Sequence, residues 1–207
     1  MDMGGSVEAT DPTNTLCITN INGVYMNQQD IEILRYPIGK FLKPEPSSAE
    51  FIAQSIERIE QYPVLLKNEV AQLSNEELNL RYRPDGWNIR QVVHHTADSH
   101  MNAFVRFKLV LTESTPTIKP YHENLWAELA DTVNAPIEAS VKILEGLHLR
   151  WAALLQACSE KDFEKKYFHP EQKREVVLKD ALALYAWHCK HHLAHIQQAK
   201  KYRGKFE

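Results

Sequence analysis

Cysteine is scarce in this chain and poorly spaced for structural work: Cys17, Cys158 and Cys189 are odd in number, far apart, and form no C-x-x-C pair. That excludes a disulfide framework and a thiolate zinc knuckle, and it points to a reducing, cytoplasmic setting. No run approaches the roughly 18 to 20 apolar residues that span a bilayer, and the N-terminus lacks the basic-then-apolar layout of a secretory signal. No membrane partner is expected. A net charge of −3, with 24 Lys and Arg against 27 Asp and Glu and no dense basic stripe, also excludes nucleic acid, whose phosphates call for a basic face. Small molecules remain as substrates.

Two catalytic signatures are missing as well. The nearest approach to H-E-x-x-H is HENLW at His122, which lacks the second histidine. A di-iron carboxylate bundle needs Glu-x-x-His on two helices, and the chain does not supply that pair.

What the chain does have is histidine in two clusters. AWHCKHHLAH holds His188, His191, His192 and His195, and VVHHTADSH holds His94, His95 and His100, which is seven of the ten histidines. The surrounding pattern is helical. Residues 1–35 show no periodicity and read as a poorly ordered tail, in which Met26 offers a second start. YPIGKFLKPEPSS follows as an extended segment, because Pro37, Pro44 and Pro46 forbid a continuous helix.

Four amphipathic helices are then predicted over about 48–73, 87–111, 136–158 and 178–202. Pro63 is expected to kink or interrupt the first. A shorter helical piece covers 125–131, and Ser74 with Glu77 makes a capping-box pattern in the first connection. Tyr167, Phe168, Val176 and Val177 give a faint strand signal, ranked below loop. With no repeat and no βαβ alternation, the fold class is all-α, a four-helix bundle in one domain over 36–207.

On the last helix, with His188 set at zero, His192 falls near about +40°, His195 near about −20° and His191 near about −60°, at 100° per residue. His188 and His192 therefore share the apolar stripe one turn apart, a spacing at which two rings converge on one ion. An inward histidine is commonly a hydrogen-bonded core residue, so some of the four are expected to be of that kind. On the second helix, measured from Val93, His100 lies near about −20°, His94 near about +100° and His95 on the opposite side. The third ligand must come from another element, and periodicity leaves His94 and His100 both open.

YPIGKF, YRPDGWNIRQVVHHTADSHMNAFVRFKL, TPTIKPY, WAEL and YAWHCKHHLAHI, in that order, resemble the DinB/YfiT-like superfamily, in its YfiT branch, over nearly everything from Tyr36 onward. The departures are the N-terminal extension and Cys189, where a small residue such as glycine is expected. The resemblance implies up-down-down-up connectivity and a divalent metal, zinc or nickel, held by His94, His188 and His192. It also implies a homodimer and a metal-dependent enzyme. Relatives of this kind include S-transferases that use bacillithiol or a similar low-molecular-weight thiol, and metal-dependent hydrolysis is the alternative.

Three imidazoles leave a divalent ion at least one open position, and such an ion acidifies a bound water or thiol, so both reactions follow from one feature. A metal-binding bundle without enzyme activity is the reading from a different class. Asp98, one turn after His94, is a candidate to orient a ligand or a bound water. Arg106 and Tyr185 are candidates to hold an anionic thiol.

Overall fold

The structure, a computed structural model, describes residues 19–21, 24–43 and 48–206. Strands β1 (Thr19–Ile21) and β2 (Val24–Met26) pair antiparallel and lead into helix α1 (Gln28–Arg35). The bundle proper is α2 (Ala49–Val70), α3 (Ile89–Thr112), α6 (Ile137–Gln156) and α8 (Leu178–Tyr202). Short helices α4 (Glu123–Trp126), α5 (Ala130–Asn134) and α7 (Glu160–Phe163), and a hairpin of β3 (Lys166–His169) and β4 (Arg174–Val177), fill the connections.

Side-chain capping sets four of these starts, among them that of α7, where Ser159 and Asp162 form a capping box. Ser48 accepts a hydrogen bond from the Phe51 amide at α2, while Asn88 with Gln91 and Asn27 with Asp30 form reciprocal capping boxes at α3 and α1. Ser74 and Glu77 exchange the expected pair of bonds at the turn Glu77–Asn79.

Packing fixes the topology. Helix α2 packs on α6 and α8, and α3 packs on the same two, so α2 and α3 occupy opposite corners. Contacts His94–Ser140 and His100–His148 advance together along α3 and α6, which therefore run parallel. Lys67 meets Glu145 and Glu60 meets Gln156, so α2 and α6 run antiparallel. His95–His192 and His100–His188 make α3 and α8 antiparallel. The order is up-down-down-up, and the core centres on Trp151, Phe107, Leu144, Leu182, Ile59 and Leu66.

Three expectations need correction. Residues 28–35 are not a poorly ordered tail: α1 buries Leu34 with Met26 and Phe206 and caps the end of α8, while residues 1–18, 22 and 23, with Pro44 and Pro46, lie outside the described residues. The segment ranked as loop forms the β3/β4 hairpin, because Tyr167 and Val176 pair across it with both side chains buried, and Phe168 bonds the backbone of Pro116 and Ile118. Helix α2 is not interrupted at Pro63. Proline has no N–H to give the carbonyl four residues back, here that of Ile59, and the His148 ring on α6 bonds that carbonyl instead.

Trp151 is fully buried and sits edge-on to the rings of Phe107, His100, His148 and Tyr185. Trp151→Ala is expected to destabilise the chain by roughly 3–5 kcal/mol. Leu149→Ala, at a side chain that is 70% exposed, is expected to stay within about 0.5 kcal/mol of the unmodified protein. Urea denaturation compares the two, and similar midpoints would contradict this placement of the core.

Candidate metal centre

Helices α3 and α8 meet along a seam of histidines. His188 and His192 stand one turn apart on α8 with ring centroids 4.3 Å apart and Nε2 atoms separated by 3.1 Å. From α3, His95 completes the group, its ring centroid 4.8 Å from that of His192 and 5.5 Å from that of His188. One nitrogen from each of the three lies within 4.8 Å of the others. Trp87 covers His95 at 4.6 Å, and Tyr185 lies 5.7 Å from His188.

The donor set suits a divalent ion. Two nitrogens each about 2.1 Å from a common ion lie about 3.0 to 3.4 Å apart for right-angle to tetrahedral arrangements, and the His188–His192 separation of 3.1 Å falls in that interval. Neutral imidazole is the form that ligates, and burial keeps these rings neutral. Loss of hydration holds the His95 pKa down at about 3 and those of His188 and His192 well below the ordinary value, with neighbouring histidines adding to each effect.

The other nitrogens of the α8 pair continue into the protein. His188 Nδ1 lies 3.0 Å from His100 Nε2; His100 Nδ1 lies 2.8 Å from His148 Nε2; and His148 Nδ1 donates to the Ile59 carbonyl at 2.5 Å. His192 Nδ1 lies 3.4 Å from His195 Nδ1, and His195 Nε2 donates to the Arg35 carbonyl at 3.0 Å. Tyr82 stacks on His195 at 3.7 Å, and Trp187 stacks on His191, whose Nδ1 is buried without a hydrogen-bond partner.

His94 is not brought to this group. Its Nε2 lies 3.2 Å from the Ala135 carbonyl and its Nδ1 2.8 Å from the Ser140 hydroxyl at the start of α6, so both nitrogens are already engaged. Successive residues on a helix point about 100° apart, and the next one, His95, is the ring that reaches α8. The missed signal is the row His95, Ser99, Asn102, Arg106, spaced at i, i+4, i+7 and i+11 on a helix whose first half is buried almost all round.

Asp98 follows His94 rather than His95. Burial and the carboxylate of Asp131 on α5 push its carboxyl up to about 6. His148 was not singled out by the sequence, where a single histidine on an apolar helix reads as core. Glu145, one turn before it, turns outward to Lys67. Cys189 faces inward, and burial pushes its thiol pKa up.

Arg106 and Tyr185 do lie together: burial pushes the Tyr185 hydroxyl pKa up, and the nearby Arg106 guanidinium and Ser99 hydroxyl oppose that rise. Arg106 lines a cavity of about 580 Å³ with Tyr121, His122, Glu123 and His169, and its Nε is buried without a hydrogen-bond partner.

Comparison with known proteins agrees with the family resemblance. The family profile described as the DinB superfamily matches residues 58–196. A Bacillus subtilis protein named "Putative metal-dependent hydrolase YfiT" is 44% identical over 171 residues, covering 83% of this chain and 96% of that protein. A relative from Oceanobacillus iheyensis with the same functional name is 50% identical over 162 residues, covering 78% of this chain and 93% of the relative. The solved structure of Bacillus subtilis YfiT, described as "a probable metal-dependent hydrolase with an unusual four-helix bundle topology", superposes with a TM-score of 0.80 over 83% of this chain and 98% of that one.

The buried rings make stability depend on pH. His95, His148 and His195 have folded pKa values of about 3, about 4 and about 3, against 6.5 when exposed. The unfolded chain therefore takes up protons first: stability is full above about pH 6.5 and falls as pH drops toward about 4, by up to about 1.4 kcal/mol per pH unit for each such ring. Urea midpoints of the metal-free protein are expected to hold between pH 7.5 and about pH 6.5 and to fall from there to pH 5. A constant midpoint across that range would contradict neutral buried imidazoles.

Proposed function

We propose that this chain, which belongs to the DinB superfamily, is a metal-dependent enzyme whose divalent ion is held by His95, His188 and His192. The observation that carries this reading is the convergence of three imidazole donors, two buried and one half-buried, from two antiparallel helices. When bound, such an ion supplies Lewis acidity and acidifies a water or thiol that meets it. Three protein ligands are also the set that leaves room for such a guest. Zinc or nickel as the ion, a homodimer as the assembly and a cytoplasmic setting belong to the same proposal. Among the described residues no helix is long and apolar enough to cross a membrane.

The reaction we assign is transfer of a low-molecular-weight thiol of the bacillithiol type to a small electrophile. Support comes from Arg106, which lines a cavity with Tyr121, His122, Glu123 and His169 and lies near Tyr185, whose ring stands 5.7 Å from that of His188. A guanidinium binds the carboxylates that such thiols carry, in a planar two-point contact. In this arrangement Arg106 and Tyr185 orient the cosubstrate. The buried rings of His95 and His192, with Trp87 over His95, keep water from the inner side of the centre. Hydrolysis at the same centre is the second reading, favoured by the names of the relatives.

Metal analysis of the purified chain is expected to find one ion per protomer. His95→Ala, His188→Ala and His192→Ala should each lose it, while His94→Ala should keep it. Retention by His95→Ala with loss by His94→Ala would overturn the assignment. For the reaction, the loaded protein is expected to consume monochlorobimane only when bacillithiol or a similar thiol is supplied, and Arg106→Ala should raise the KM for the thiol by about tenfold or more, the cost of a lost charged contact. Equal turnover with and without thiol would remove the transferase reading.

A further inference from the structure

The metal reading leaves unexplained why His188 and His192 are backed by three more histidines. A backbone carbonyl can accept a hydrogen bond and never donate one, and a neutral imidazole has one donor and one acceptor nitrogen. The Ile59 carbonyl therefore fixes His148 with its proton on Nδ1, so His148 Nε2 must accept. His100 then donates from Nδ1 and accepts at Nε2, which obliges His188 to donate from Nδ1. The Nε2 atom of His188 is left as a bare lone pair.

The second arm is shorter and ends in the same way. The Arg35 carbonyl takes the proton on His195 Nε2, His195 Nδ1 accepts, and His192 donates from Nδ1 across the longest link, 3.4 Å. His192 Nε2 is likewise bare. The two Nε2 atoms face each other at 3.1 Å with no proton between them, an approach of two acceptors that a cation relieves.

Both anchors are carbonyls that helix geometry leaves without a helical donor. Pro63 has no N–H to give Ile59, and Arg35 is the last residue of α1, among the four terminal carbonyls that a helix cannot pair. The neighbouring Leu34 carbonyl is taken by Gln198 of α8.

We infer that His100, His148 and His195 are positioning residues through which the Ile59 and Arg35 carbonyls lock His188 and His192 in the Nδ1–H tautomer and free their Nε2 atoms for the ion. The inference rests on the metal reading for its purpose but not for its test. It also gives α1 a role at the centre, since the Arg35 carbonyl holds one of the two locks.

The test is a long-range ¹H–¹⁵N correlation spectrum of the imidazoles in the full, metal-free chain at pH 7.5. His100, His148, His188 and His192 are expected as Nδ1–H tautomers and His195 as Nε2–H. A His188 or His192 ring found as Nε2–H would overturn the inference. His148→Leu deprives His100 of its acceptor, so the His188 signals should move toward the Nε2–H form and Zn²⁺ affinity should fall about 10- to 100-fold, as when a partner behind a ligand is lost.

His148→Gln can still donate to Ile59 and accept from His100, and it should recover most of that affinity and the Nδ1–H signal of His188. Unchanged affinity and an unchanged His188 tautomer in a folded His148→Leu chain would overturn the first arm. If His148→Leu does not fold, the spectrum of the unmodified chain decides alone. An unmodified chain that shows the expected tautomers yet binds no Zn²⁺ would sink the metal reading and leave the relay standing.

Discussion

A buried imidazole must hydrogen-bond both of its nitrogens or give one to a ligand, and among the described residues the interior of this bundle holds seven buried imidazoles, with His188 half-buried beside them. No bulk water is there to satisfy them, and an unpaired buried polar atom costs on the order of 1–3 kcal/mol. Neighbouring groups answer that demand for most of these rings, while His191 Nδ1 is left without a partner. His94 spends its nitrogens on Ser140 of α6 and the Ala135 carbonyl at the end of α5, and His100 and His148 spend theirs in series. The surplus acceptors fall on His188 and His192, facing one another.

The topology places that surplus at the middle of the bundle. Because α2 and α3 occupy opposite corners, each packs on both α6 and α8, so α3 can hand His100 to α6 and His95 to α8 at once. An up-down-up-down bundle would set α2 beside α3 and lose one of those contacts. The parallel α3/α6 pair needs a long connection, and α4, α5 and the strand contact at Pro116–Ile118 occupy it, with residues of α4 lining the Arg106 cavity.

Much of this was legible in the residues. Helical periodicity over 178–202 predicts α8 to its observed limits, and the i, i+4 pair His188 and His192 follows from that helix alone. His95 was not legible, because it lies opposite the face measured from Val93 on a helix that is buried on nearly every side in its first half. The β3/β4 hairpin gains its support from residues some fifty positions earlier in the chain, a pairing no local window contains. Helix α1 is tied down by its own carbonyls, at Leu34 and Arg35, and backbone acceptors leave no trace in a side-chain pattern. Pro63 carried a real signal with a different meaning: the helix continues, and the freed carbonyl is what matters.

Membership of the DinB superfamily and the close relation to YfiT make a metal centre in this bundle a natural expectation, and His95, His188 and His192 are the group whose nitrogens lie close enough to share an ion. The most direct measurement is an anomalous difference map from crystals of the chain grown with Zn²⁺. The account predicts one strong peak within about 2.2 Å of a nitrogen on each of His95, His188 and His192. A peak bound by His94, or none among these three rings, would contradict it.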